Sequence, residues 1–194
     1  MSATLLKARY LRLDPYRDSD LRELYAVRFH PTVRTFMTDP TLVSYASHRD
    51  WSRANLGGER ALCLWLVRPP TGGRAIGFTQ LRVSATGDSA EIGVMFREPA
   101  QHPLQAAVAT AMTLATAYRQ LGCTWVRSYV ALDHARALSF NRAWGGEPVP
   151  SDRQGQYCLA MHRDVCLANP RFQRVLARWV IDETASSAGA PVQR

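Results

Sequence analysis

The sequence predicts a mixed single-sheet α/β domain, and three observations carry that reading. Three strand-length segments, 61–67, 75–83 and 90–96, are joined by two short turns at 69–73 and 86–88, the pattern of an antiparallel meander. The longest helical pattern, 104–121, stands between the third of these segments and another strand at 125–131. A strand–helix–strand passage of this kind implies a parallel crossover. A last strand at 156–162 completes the set.

Taken in order, Tyr10-Leu11-Arg12-Leu13 alternates and opens the sheet. A helix starts at Asp18-Ser19-Asp20, where Asp20 and Glu23 resemble a capping box. Leu21, Leu24, Tyr25 and Arg28 follow at helical spacing, and His30-Pro31 ends the helix because the residue before proline is pushed out of the α region. A short helix is expected over 31–37. Another begins at Ser47 or His48, carries Trp51 and Leu56, and stops at Gly57-Gly58. In segment 90–96, alternation sets Glu91, Gly93 and Met95 on one face and Ile92, Val94 and Phe96 on the other.

Residues 99–103 carry proline at both ends and break the pattern. Helix 104–121 has almost no charge before Arg119, so it is expected to be buried on most sides, and Gly122 stops it. Asp133 is placed to cap a helix running to Trp144, ended by Gly145-Gly146. Asn169 as N-cap with Pro170 at the first helical position opens a final helix. It sets Arg171, Arg174 and Arg178 on one face and Phe172, Val175, Leu176 and Trp179 on another. Such a basic amphipathic helix admits a membrane-surface reading; docking on the domain or on a second subunit is the reading favoured here. The organisation is a domain at 1–167, an amphipathic helix at 168–183 and a small, polar, loose tail at 184–194.

With 194 residues, 46% hydrophobic and 21% charged, the chain has the composition of one globular domain, which excludes global disorder. No apolar run approaches the ~20 residues that span a bilayer. The start lacks a charged region followed by an apolar stretch, so no signal peptide is expected and a cytoplasmic location is. Of the 24 cations behind the net charge of +8, Lys7 is the only lysine, and no run of five basic residues occurs. A nucleic-acid patch is therefore not expected; a polyanionic small ligand or an acidic carrier protein suits the charge. Cysteines 63, 123, 158 and 166 form no C-x-x-C pair, so no metal is expected and buried, reduced thiols are.

The order of elements, the opening segment Leu11 to Leu24, the strand Ala90-Glu-Ile-Gly-Val-Met-Phe96 and the late helix Ala137-Leu-Ser-Phe-Asn-Arg-Ala-Trp-Gly145 resemble the GNAT superfamily of acyl-CoA-dependent N-acyltransferases. His30-Pro31-Thr-Val-Arg34 resembles members acting on aminosugar nucleotides or on protein and peptide amino groups. The resemblance covers about residues 5–165. It implies a sheet whose fourth and fifth strands splay apart, with pantetheine lying along the exposed backbone of Val94, Met95 and Phe96. It implies a pyrophosphate loop of the form Gln/Arg-x-x-Gly-x-Gly/Ala before the long helix, whose unpaired N–H groups bind the anion. That loop falls on Gln101 to Ala106, which names Gln101, Leu104, Gln105 and Ala106 as donor-binding residues. Leu104 stands where the family has Gly, so its side chain is expected to fill space that the phosphate approaches, and Pro103 removes an N–H donor.

The resemblance also implies catalytic roles. Asn141 stands where many members place a Tyr as general acid, and its amide can only hydrogen-bond. His134 aligns near a family Asn and has the pKa range for proton transfer. Glu91 is a candidate base, costly on a central strand unless paired or facing a wet cleft; a salt bridge to Arg82 is the structural alternative. His30, Arg34 and Trp51 lie where the family builds its acceptor pocket, and Tyr129 is placed to line the cleft.

The implied function is transfer of an acetyl or other acyl group from acetyl-CoA, or another acyl-CoA, to a primary amine of a small molecule or peptide. Two alternatives stand beside it: a donor carried on acyl-carrier-protein phosphopantetheine, and a non-catalytic scaffold on a degraded fold. A homodimer is also admitted. Regular pairing between the two diverging strands, leaving no groove, would remove the transferase reading.

Overall fold

The computed structural model describes residues 5–37, 40–56, 62–97 and 104–181. A hairpin of β1 (Leu6–Ala8) and β2 (Arg12–Pro15) leads through a 3-10 turn (Asp18–Asp20) into α1 (Leu21–Arg28), α2 (Pro31–Arg34) and α3 (Tyr45–Leu56). The meander is β3 (Leu62–Arg68), β4 (Gly77–Val83) and β5 (Ser89–Phe96). Helix α4 (Gln105–Ala115) and the turn Thr116–Gln120 cross to β6 (Trp125–Ala131). Then come α5 (Ala135–Arg142), β7 (Glu147–Val149), β8 (Gln156–His162), α6 (Arg163–Ala168), α7 (Pro170–Trp179) and β9 (Val180–Ile181).

Among the described residues the nine strands form one sheet in the order β7-β8-β6-β5-β4-β3-β2-β1-β9. The pairs are antiparallel except β5–β6, which is parallel. This is the mixed sheet expected, with the meander and the parallel crossover where the patterns place them. The short pieces β1, β7 and β9 and helix α6 go beyond the expectation; β7, with Pro148 and all three residues exposed, offers no alternation to read.

Two apolar layers cover the sheet. On one face α4 and α7 pack over Leu13, Trp65, Leu81 and Ile92, with Val108, Leu114 and Phe172 fully buried. On the other, Leu24 and Val27 of α1 and Val33 of α2 pack over Leu64, Leu66 and Phe78. Nine residues of α4 are buried, as its lack of charge demands. Its last turn is a π turn rather than a continued α-helix: Leu121 N–H reaches back five residues to the Thr116 carbonyl. Gly122, at φ 73°, then takes the left-handed conformation that ends the segment. All four cysteines are buried and free.

Two expected caps are corrected. Asp20 and Glu23 form no capping box on α1. Asp20 accepts from the backbone of Arg17, and both carboxylates accept from the guanidinium of Arg68. Arg68, 9% exposed, also pairs with Asp14, so these acids tie α1 to the sheet instead of ending a helix. The N-cap of α5 is His134, not Asp133, and no side chain caps it.

The Asn169 cap is present: its Oδ1 accepts from Arg171 and Phe172 N–H at 2.9 and 3.4 Å, with Pro170 in the first turn. Helix α7 docks on the domain through Phe172 and Val175 in the main core, while Arg171, Arg174 and Arg178 stay exposed. Asn169→Ala is expected to lower stability by about 1 kcal/mol, read as a lower urea midpoint at unchanged slope. The tail at 184–194 lies outside the described residues.

Candidate active site

The site grows from one break in the sheet. β5 pairs with β4 from Ala90 to Phe96, but with β6 only at Ser89, Ala90 and Glu91. β6 instead pairs with β8 from end to end. Beyond Glu91 the parallel strands part, and the side of β5 that faces β6 has no partner strand among the described residues. The Arg97 N–H bonds across to β4 at Ile76, and the Ser89 carbonyl accepts from Ser84 on that same side. Backbone groups alternate sides along a strand, so the N–H and C=O of Val94 and Phe96 point into the gap. A cavity of about 1200 Å³ occupies it.

The cavity spans both faces. Directly opposed residues of an antiparallel pair share a face. Phe78 and Met95 are opposed and pack with α1 and α2; by alternation Gln80, Gly93, Arg82 and Glu91 lie on that face too. Ile92, Val94 and Phe96 pack on the α4 face. The two faces of β5 are thus as the alternation sets them.

On the α4 face, Ala106 and Thr110 of the first turns of α4 line the cavity. Leu104 does not line it; its side chain packs against the main core. Gln105 is buried and donates to the Tyr10 carbonyl at 3.2 Å. Of the donor-binding residues named from the sequence, Val94, Met95, Phe96 and Ala106 therefore meet at the cavity, Leu104 and Gln105 turn away from it, and Gln101 lies outside the described residues.

On the other face Glu91 lines the cavity but pairs with Arg153, not with Arg82. Both carboxylate oxygens accept from its guanidinium, at 3.0 and 2.6 Å. That guanidinium also lies 3.7 Å from the Tyr129 ring centroid. Burial, then the hydrogen bond of the Tyr129 hydroxyl to the Asp152 carboxylate, push Tyr129 up to about 12. It is a phenol, and so a donor, at neutral pH.

His134 lines the cavity and stacks on Phe36 at 3.9 Å between centroids, joining α5 to the segment after α2. Burial, reinforced by Arg136 and opposed by Asp133, holds it below the usual imidazole value. Asn141 lines the cavity as well, with its amide N–H₂ spent on the Ala137 carbonyl one turn back.

Trp51 lines the cavity beneath the Arg28 guanidinium, 4.7 Å from its ring, and stacks against His48. His48 is 2% exposed, and its Nε2 has no hydrogen-bond partner. Burial and then Arg28 push it down to about 4. His30 and Arg34 do not line the cavity; the His30 ring bonds Thr32, whose hydroxyl donates to the Arg97 carbonyl. Arg28, Arg82, Arg136, Arg153 and, from α7, Arg171 are lining residues that sequence reasoning did not assign to the site. Arg153 sits in a polar turn with no local signal, and only the β6–β8 register carries it to Glu91.

A sheet parted at its parallel pair beside the first turn of a buried helix leaves a groove that opens to both faces. Residues 10–147 match the family model described as an acetyltransferase (GNAT) domain, and the chain belongs to that family. No curated protein matches the chain. Among solved structures, the spermidine N-acetyltransferase of Vibrio cholerae in complex with CoA and spermine superposes with a TM-score of 0.71 at 14% identity, over 81% of this chain and 98% of that one. A proposed acetyltransferase from T. thermophilus superposes with a TM-score of 0.68 at 19% identity, over 92% of this chain and 99% of that one. A dodecameric structure of the Vibrio cholerae enzyme gives 0.67 at 14% identity, over 83% and 98%. At these identities the likeness is one of fold. Among the described residues no helix is long and apolar enough to cross a membrane.

Proposed function

We propose that this chain transfers an acetyl group from acetyl-CoA to a primary amine. The observation that carries the reading is the inner edge of β5, which no strand among the described residues pairs beyond Glu91, where the Val94 and Phe96 backbone faces an open cavity next to the first turn of α4. A strand-like pantetheine arm has there the hydrogen-bond partners an added strand would use. The N–H groups of the α4 first turn suit the donor's phosphates. The parted strands also favour a working enzyme over a scaffold, since a zipped pair would leave no groove.

The donor supplies an acyl carbon activated as a thioester. The chain's part is to hold that group and bring an amine to it across the sheet, which turns a bimolecular encounter into an oriented one. Glu91, Tyr129 and His134 surround the amine's side of the cavity. Glu91 already accepts twice from Arg153, so a proton leaves the amine through water at Glu91 rather than by direct contact. Tyr129 is a neutral phenol whose one proton goes to Asp152, and its ring faces the Arg153 guanidinium that holds Glu91. Neutral His134 accepts a hydrogen bond, and Asn141 holds its turn of α5.

Calorimetric titration with acetyl-CoA, followed by thiol release on adding primary amines, tests the reading. Saturable binding and amine-dependent release of free CoA are expected. Absence of either overturns it.

A further inference from the structure

The charge on the amine side of the cavity deepens this reading. Four arginines, Arg28, Arg82, Arg136 and Arg153, line the cavity on that side or at its edge, against a single carboxylate, Glu91, among the described residues. That carboxylate is held at both oxygens by Arg153. Arg82 stands opposite Glu91 in the β4–β5 ladder, and its side chain makes no hydrogen bond or ion pair among the described residues. Arg82, Arg153 and Arg28 lie on the α1–α3 face, away from α4, and so away from where the donor's phosphates would sit. The wall between them is aromatic and apolar, with Phe29, Val33 and Trp51, and within it the buried His48 Nε2 has no partner.

A polycation entering this space meets guanidinium groups and no uncommitted carboxylate. Like charges at ~4 Å repel by about 1 kcal/mol even in bulk water, and by more where the protein excludes it. An anion finds an exposed fork of N–H donors suited to carboxylate or phosphate. We propose that the acceptor is a primary amine bearing an anionic oxygen group, a carboxylate or a phosphate, on an apolar or aromatic body, with Arg82 binding the anion. A polyamine such as the spermine in the Vibrio cholerae complex is the substrate class this lining rejects. The inference rests on the acetyl-transfer reading for the word acceptor, but the anion site is measured without it.

The test is calorimetry on the full chain with matched probes: phenylalanine against phenylalaninamide, O-phosphoethanolamine against ethanolamine, and spermidine. Thiol release from acetyl-CoA is followed with each. The anionic member of at least one pair is expected to bind about 10-fold or more tightly than its uncharged partner, the scale of one charge-assisted bond. Which pair shows the preference separates carboxylate from phosphate. In Arg82→Gln that advantage is expected to fall to about 2-fold or less and in Arg82→Lys to return in part, with acetyl-CoA affinity unchanged in both. A merely structural role for Arg82 would move every affinity alike. No anion preference in either pair, spermidine binding as well as the anions, or a preference intact in Arg82→Gln overturns the proposal. Anion binding without thiol release would keep the site and overturn the transfer reading instead.

Discussion

Replacing Val94 with proline is expected to weaken acetyl-CoA binding by about 10- to 100-fold while the sheet stays folded. Proline removes one N–H and fixes φ. At most positions of a central strand that breaks the ladder. Val94 is different because the β4 side of β5 is used by alternate residues, as the Arg97 N–H and the Ser89 carbonyl show. The Val94 N–H points instead to the side where β6 has already left. Losing it costs no bond to β4, and proline is tolerated where a strand behaves as an edge. What is lost is a bond to the donor, worth ~1–3 kcal/mol when its partner is left unsatisfied. Val94→Ala keeps the N–H and is expected to bind nearly as the parent does. Calorimetry on both variants, with thermal melts to confirm folding, checks the comparison; equal affinities would remove the role given to this edge.

Stability is expected to fall by up to about 3 kcal/mol as pH drops from 6.5 towards 4, through His48 alone. The sign follows from where the proton goes. In the folded chain His48 is 2% exposed and is pushed down to about 4, by burial first and by Arg28 second. In the unfolded chain it titrates near 6.5. Between those values the unfolded state takes up a proton that the folded state refuses, so falling pH favours unfolding. Below about 4 both states are protonated and this contribution changes no further. Phe29, Tyr25 and Trp51 surround the ring and offer the cation no carboxylate. Urea midpoints measured from pH 7 to 4 check this, with His48→Phe as the comparison: parent stability minus variant stability is expected to fall as pH falls. A difference that stays constant would mean His48 titrates normally when folded.

Much of the fold was legible because its signals are local. The strands at 125–131 and 156–162 match β6 and β8 to the residue, since each is bounded by turns and alternates or runs apolar throughout. The Asn169-Pro170 start of α7 is a cap whose chemistry lies within four residues. The same local logic misled at Asp20 and Glu23, where the capping spacing is present but Arg68, 48 and 45 residues away, takes both carboxylates. A guanidinium among several acids gains more from them than an exposed helix end does, and a local pattern cannot see it.

The candidate site divides in the same way. Glu91, His134, Asn141, Trp51 and Tyr129 reach the cavity; the face was readable for Glu91, and for the others only the segment that carries them. His30 and Arg34 do not, because the single turn of α2 presents Thr32 and Val33 to the cavity instead. Leu104, the N-cap of α4, packs against the core and does not line the cavity.

By itself the sequence determined which segments are helix or strand, that they make one mixed sheet, and which residues of β5 share a face, because periods of 2 and 3.6 are properties of neighbouring residues. Only the tertiary structure decided that β5 and β6 part after Glu91, that Arg153 from 62 residues away holds that carboxylate, and that arginines from α1, β4 and the β7–β8 turn gather on one side of the gap. Those outcomes follow from strand register and from which partner each strand keeps. β6 keeps β8 along the whole of one edge while its other edge leaves β5 after Glu91, and where two distant strands diverge is written in no local pattern.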